Sequence, residues 1–575
     1  RATPPGMTET HAPQAKALEI LKQPGEQAAL ALDSLTPGEQ RALLLGLPPG
    51  RQRQDLALLS RKPAALVRLL APEDFYATVM EIGPEDALPM LELSSNAQLG
   101  YLMDLQLWVG GNMDVQRLER WLELLHACSP ERTTRFLEKT DFELLVLWLE
   151  RSLLFVEREA LDALPAELQG RVISPDNYHH FAVKLGADLE LVRKSVQLLF
   201  AESQELFLAL SGNLGTTPLA ELEEQLARWR QGRLADRGWP DAEEALAFYL
   251  PRAPGALAAQ PMPLPDGLDE APAQPLQRLQ AGPRLQAGLE AIGEPVLRAR
   301  LATQLANLAN RVIVADGQPL EELASLQSAL ARVAGRLEIG LGELGATTTA
   351  EVVALLAGTP LLHLAQVAEG ALRARQTRAR ALLGGDGGWL LGMLCPPRPE
   401  RLAALLQRRP RFLPGPAEPP REFTGPADLQ SLDRDLEHAE AALVLARALG
   451  VVSAGLPEPF PPGSLPARRA DLELESLLFT LVARDLLALD PAPAPLPVGR
   501  LPALFAALPR EQAALAARLR GWASARLGAA PPAGLGGLLD SLARRAAEEL
   551  LGHDPRALDP RYAAGIWLQV EPVRG

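Results

Sequence analysis

The chain has 575 residues, a net charge of −14 and a hydrophobic fraction of 47%. It is too long for one hydrophobic core and too apolar for global disorder, and its negative balance works against non-specific binding to nucleic acid phosphates. Cys128 and Cys395 are the only cysteines, which excludes a disulfide framework and a cysteine-based zinc module and suits a reducing compartment. Leu and Ala dominate, both strong helix formers, and β-branched residues are sparse, so the expected fold is all-α and multi-domain, a helical-repeat or bundle architecture with Pro-rich connectors.

Taken in order, residues 1–25 read as a mobile tail without a secretory pattern, and the six residues ahead of Met7 read as lying outside the native start. Residues 26–160 read as an N-terminal helical-repeat domain. Its punctuation recurs as Thr36-Pro37-Gly38-Glu39, Pro72-Glu73-Asp74, Pro84-Glu85-Asp86 and Ser129-Pro130-Glu131. Ser or Thr at an N-cap, Pro at the first helical position and acids in the first turn each favour a helix start. Residues 161–250 combine a β-hairpin near 171–183 with long helices at about 189–210 and 219–229. A Pro-rich linker at 251–284, a central helical domain at 285–395, a second Pro-rich linker at 396–427 and a C-terminal helical domain at 428–575 complete the expected organisation. A membrane span needs about 18 uninterrupted apolar residues. The nearest run, Leu144 to Phe155, is broken by Glu150 and Arg151, so a soluble, cytoplasmic protein with no membrane insertion is expected.

Two segments carry a family resemblance. The run from Leu305 to Gly317, containing Asn307, Asn310, Arg311 and Asp316, and the run from Arg228 to Glu244, containing Trp229, Arg230, Gly232, Arg233, Gly238 and Trp239, resemble an uncharacterised bacterial family of large helical proteins known only as a domain of unknown function. The resemblance covers about Leu45 to Tyr562 and implies no activity. Separately, the Pro-Glu-Asp repeats between 36 and 140 resemble the helical N-domain of magnesium-channel proteins, which implies a regulatory or docking scaffold and transfers no residue roles.

Charge is unevenly distributed. No Lys or Arg lies between Leu69 and Gln116, whereas Glu73, Asp74, Glu81, Glu85, Asp86, Glu92, Asp104 and Asp114 do. Arg373, Arg375, Arg378, Arg380, Arg398, Arg401, Arg408, Arg409 and Arg411 crowd 371–411. Each block reads either as a docking surface or as charge neutralised within the fold. Arg230, Arg233 and Arg237 read as an anion fork or, more simply, as partners of Glu221, Glu223, Glu224, Glu243 and Glu244, with Gly232 able to end their helix early. Gln304, Asn307 and Arg311 form a helical stripe, beside Asn310 and ahead of Asp316, that suits a polar site or ties between helices.

Histidine offers little. Glu123/His126 and Asp435/His438 have helical carboxylate–imidazole spacing without the further ligands a di-iron centre needs, and His179 and His180 alternate across a strand. Cys128 and Cys395 read as buried structural thiols, and no phosphate-binding loop, dinucleotide fingerprint or nucleophile elbow is present. No metal or cofactor is therefore expected. The expected function is a non-catalytic scaffold or adaptor that binds a protein partner through helical grooves and charged faces, notably Glu73, Asp74, Glu85, Asp86, Arg373, Arg375, Arg378 and Arg380. The second reading is an enzyme or small-ligand or anion sensor with a polar site built from Asn307, Asn310, Arg311 and Asp316 and completed by Arg230 and Arg233. The third is RNA or phosphate binding at 373–411, ranked low because aromatic residues there are few.

Overall fold

The computed structural model describes residues 12–256, 272–527, 531–554, 558–563 and 565–570. Helices form almost all of its regular structure, as the Leu- and Ala-rich composition implies, and the strands are confined to three small sheets. The chain forms two compact units. One comprises Arg1–Leu250, Ala258–Ala334 and Thr347–Leu364, the other Pro251–Leu257, Gly335–Ala346 and Ala365–Gly575.

In the first unit the capping chemistry acts as the sequence predicts at three of four places. Thr36 forms a full capping box with Glu39 at the start of helix Pro37–Gly46. Pro72 opens helix Pro72–Ile82, and the Ser129 hydroxyl accepts from the Arg132 amide, 3.1 Å away, at the start of helix Pro130–Lys139. Pro84 departs from the pattern: residues 84–87 form a turn, and the next helix runs from Leu88 to Leu93. The Asp86 and Ala87 amides both bond back to the Gly83 carbonyl, at 3.1 and 3.0 Å, and so close a turn there.

Several other expectations are corrected. Residues 12–21 of the expected tail are a helix whose Ala17 and Ile20 are buried, while residues 1–11 lie outside the described residues. The segment 189–210 is two helices, Leu189–Glu202 and Gln204–Asn213, which meet at Ser203. Helix Leu219–Asp236 continues through Gly232 instead of ending there. The hairpin is present, with Val172 opposite Ala182 and Ile173 opposite Phe181. A third strand, Leu153–Val156, pairs antiparallel with His180–Val183 on its other side. Both His179 and His180 are half-buried, so neither is the exposed member of a pair.

In the second unit one large apolar core gathers around helices Pro426–Ala448, Leu474–Leu486, Gln512–Leu527 and Leu535–Ala546. Its small sheet places Leu568–Gln569 between Ser464–Leu465 and Leu496–Pro497. The core continues to Phe423, which is fully buried under the Arg336 guanidinium. Arg336 in turn donates to Glu369 at 2.5 Å. Within helix Leu323–Glu343, a Cβ at Gly335 would lie 1.6 Å from the Phe423 carbonyl oxygen, so glycine is what lets backbone meet backbone there. Gly335→Ala is expected to lower the unfolding free energy by about 1–3 kcal/mol through overpacking. Denaturant titration checks this, and an unchanged midpoint would contradict so close a contact.

Candidate functional site

The first unit contains a cavity of about 660 Å³, a size typical of small-molecule sites. Four helices and one turn supply most of its polar lining. Helix Pro72–Ile82 supplies Glu73 and Tyr76, and helix Asn96–Gln106 supplies Asn96, Tyr101 and Asp104. Helix Leu219–Asp236 supplies Arg233 and Asp236, and helix Pro295–Ala315 supplies Thr303, Asn307 and Asn310 at i, i+4, i+7 spacing on one face. The turn Arg237-Gly238-Trp239 closes the ring of contributors.

That turn is a Schellman helix end. The Gly238 amide donates to the Ala235 carbonyl at 2.9 Å and the Trp239 amide to the Leu234 carbonyl at 3.0 Å, with Gly238 at φ +78°. The motif turns Trp239 inward, where its indole donates to the Tyr101 hydroxyl at 3.4 Å. It also presents the Gly238 backbone to helix Pro295–Ala315: the Asn310 side chain donates to the Gly238 carbonyl at 3.4 Å. A Cβ on Gly238 would stand 1.9 Å from Asn307 Oδ1. The two sequence segments singled out above therefore meet at one point. The Asn307 carboxamide lines the cavity and makes no hydrogen bond to another described residue.

Asp104 anchors the arginines. Arg233 donates to both of its oxygens, at 2.8 and 2.6 Å, and reaches Asp141 at 3.0 Å. Arg230 donates to the Asp104 carbonyl at 2.5 Å and lies over the Trp108 ring. Arg237 reaches Glu73 at 3.3 Å and lies over the Tyr101 ring. These partners replace Glu221, Glu223, Glu224, Glu243 and Glu244, the ones sequence proximity suggested. Tertiary packing brings carboxylates from distant helices to the arginine stripe, whereas Glu223 and Glu224 are taken by Arg151 and Arg228. Burial raises the proton affinity of the Glu73 carboxyl, against the pull of Arg237. It likewise raises that of Asp104, against the pull of Arg233. One Glu73 oxygen is buried without a hydrogen bond. Burial also holds the Tyr101 hydroxyl well above its ordinary range.

The remaining candidates lie elsewhere. Arg311 is tied to the side chain and carbonyl of Glu244. Asp316 accepts from Arg332, and the Tyr249 hydroxyl lies 2.9 and 3.1 Å from its two oxygens. The Gln304 oxygen accepts from the Leu361 amide at 2.9 Å. Asp74 is fully buried and accepts from the Ala273 amide at 3.1 Å. Glu85 pairs with Arg120, and Asp86 with Arg51.

In the second unit Arg375 holds Asp433 through two hydrogen bonds of 2.9 and 2.7 Å, and Arg378 holds Glu440 through two of 2.5 and 2.6 Å. Arg373 and Arg380 are exposed. Asp435 and His438 are bound to Arg401 and Glu475, an ionic knot in which carboxylate and imidazole serve as structural partners. His126 lies 2.8 Å from the Ser195 hydroxyl. Both cysteines are half-buried, less enclosed than the sequence suggests. Burial pushes the Cys128 thiol up to about 11, and burial followed by nearby Glu475 raises that of Cys395.

Sequence reasoning missed Tyr76, Tyr101, Trp108 and Asp104 as lining residues. Tyr76 and Tyr101 follow the same apolar periodicity as core positions on their helices, Trp108 lies on the short strand Trp108–Val109, and Asp104 reads only as one acid of a block, so no local signal separates them.

Among the described residues no single helix is long and apolar enough to cross a membrane. A match to the family of unknown function DUF6178 covers residues 30–569, and the chain belongs to that family. No curated protein and no solved structure matches it, so nothing supports the likeness to magnesium-channel N-domains.

Two outcomes follow from this geometry. Gly238→Ala is expected to cost about 1–3 kcal/mol, through strain at positive φ and displacement of Asn307. Thermal unfolding together with a crystal structure of the variant checks both parts. Glu73 generates the second. Because the fold holds this proton more tightly than the unfolded chain does, stability falls as pH rises from the ordinary glutamate value of 4.5 through the raised one. Glu73→Gln mimics the neutral acid. It should therefore be more stable than the parent at pH 7, with the advantage shrinking as pH falls through the raised value and gone below pH 4.5, as read by denaturation at a series of pH values.

Proposed function

We propose that this member of the DUF6178 family is a small-molecule-binding protein and that the cavity between the 233–239 and 303–313 segments is its ligand site. One observation carries the reading. Two segments far apart in sequence converge on one cavity of about 660 Å³, walled by the buried rings of Tyr76, Tyr101, Trp108 and Trp239 and holding a carboxamide with no hydrogen-bond partner among the described residues. A preformed cavity that combines aromatic walls with fixed polar groups suits small-ligand recognition. Sensing and catalysis both begin with such binding, and no residue of the site is given a catalytic role here. The unpaired Cys128 and Cys395 favour a cytoplasmic setting.

Protein docking is the second reading. It would use exposed Arg373 and Arg380, because Arg375 and Arg378 are committed to Asp433 and Glu440.

A thermal-shift panel of soluble metabolites on the full chain tests the ligand reading, with Ala306→Trp as the control that fills the cavity. A true ligand at about 100 times its Kd adds about 2.7 kcal/mol of stability to the parent and little to the variant. A panel that shifts neither protein, or both equally, would refute the proposal.

A further inference from the structure

The cavity also constrains the chemistry of its ligand, and this step rests on the ligand-site reading above. We infer that the cavity takes a planar heteroaromatic compound that carries no anionic group, such as a nucleobase or nucleoside without its phosphate.

The first support is electrostatic. Lining the cavity are five carboxylates, those of Glu73, Asp104, Asp141, Asp236 and Glu322, against three cationic side chains, those of Lys139, Arg233 and Arg237. Both arginines already hold carboxylates. Arg233 is held by Asp104 and Asp141, and Arg237 by Glu73. An incoming phosphate or carboxylate would compete with these partners and meet a lining in which carboxylates outnumber cations. The anion fork that the arginine spacing suggests is therefore partly engaged from within, by Asp104 and Asp141 at Arg233 and by Glu73 at Arg237.

The second support is the shape and polarity of the interior. Tyr76, Tyr101, Trp108 and Trp239 are each less than a tenth exposed. They are fixed in place: Tyr76 and Tyr101 meet edge to face at 6.1 Å, and Trp239 is hydrogen-bonded to Tyr101. Arg230 and Arg237 cover one face each of Trp108 and Tyr101, and the remaining rigid aromatic surface suits a flat ring.

The third support is Asn307. Its carboxamide offers a donor and an acceptor side by side, and the Gly238 backbone sits too close for it to swing toward that side. An amide of this kind pairs with a ring edge that presents an adjacent acceptor and donor, the pattern Asn makes with adenine. A flexible aliphatic ligand would use neither the rings nor this edge.

Isothermal titration of the full chain with adenosine and cytidine, each compared with its 5′-monophosphate, tests the class directly. At least one nucleoside should bind at sub-millimolar concentration, with its monophosphate at least tenfold weaker. Asn307→Leu, which removes the hydrogen bonds and nearly preserves the volume, should weaken that nucleoside tenfold or more while leaving the thermal midpoint unchanged. Monophosphates that bind as well as nucleosides, or nucleosides that give no heat at millimolar concentration, would overturn the inference. The comparison on the parent protein needs no variant, so it stands even if Asn307→Leu folds poorly. If the class fails while a metabolite of other chemistry still stabilises the parent and not Ala306→Trp, the ligand site stands and only its specificity is wrong. If both fail, the site reading falls as well.

Discussion

The candidate site depends on one close approach, the backbone of Gly238 against the carboxamide of Asn307. Any side chain at 238 would collide with it, and φ of +78° would strain any residue other than glycine. The Schellman turn that requires this glycine also directs Trp239 inward and brings its own carbonyl within reach of Asn310. A single helix ending thus sets where two long helices meet and how wide the space beside them is. A similar glycine turn ends helix Pro295–Ala315 at Asp316-Gly317, where the Gly317 and Gln318 amides cap the last carbonyls. The distinctive character of both sequence runs is, in large part, the chemistry of ending helices.

Electrostatics then decides what the space can hold. Burying carboxylates such as Glu73 and Asp104 is unfavourable unless guanidinium groups meet them, and Arg237 and Arg233 do so at 3.3 and 2.6 Å. The pairing keeps the walls polar without leaving strong cationic sites open. It also accounts for the acidic block at 69–116 and much of the arginine block at 371–411. Charges in each block are largely consumed by partners within their own unit, as with Glu73 and Arg237 or Arg378 and Glu440. Of the two readings the sequence allows, many of these charges follow the second, being paired within their own unit, as Glu85 with Arg120 and Arg375 with Asp433.

The helical class is legible from Leu and Ala content, and several helix starts from Thr36, Pro72 and Ser129, because these are local preferences. The hairpin at 172–183 is legible for the same reason. Its third strand, Leu153–Val156, is not, since it follows a helix directly and shares its apolar run. At the site, Arg233, Asn307 and Asn310 stand out as polar residues on otherwise apolar or crowded helix faces. Tyr76, Tyr101 and Trp108 do not, because an aromatic that lines a cavity and one that fills a core satisfy the same periodicity. Arg311 and Asp316 share the distinctive run with Asn307, yet helical rotation sends them to Glu244 and to Tyr249 and Arg332. Spacing identifies a face, and only the fold decides what that face meets.

Native mass spectrometry of the folded chain after incubation with a cytoplasmic small-molecule extract tests the central claim most directly. The account predicts a discrete adduct of a few hundred daltons on the parent protein that disappears in Ala306→Trp, whose mass and charge states otherwise match a folded chain. Bare protein in both samples, or the same adduct on both, would contradict it.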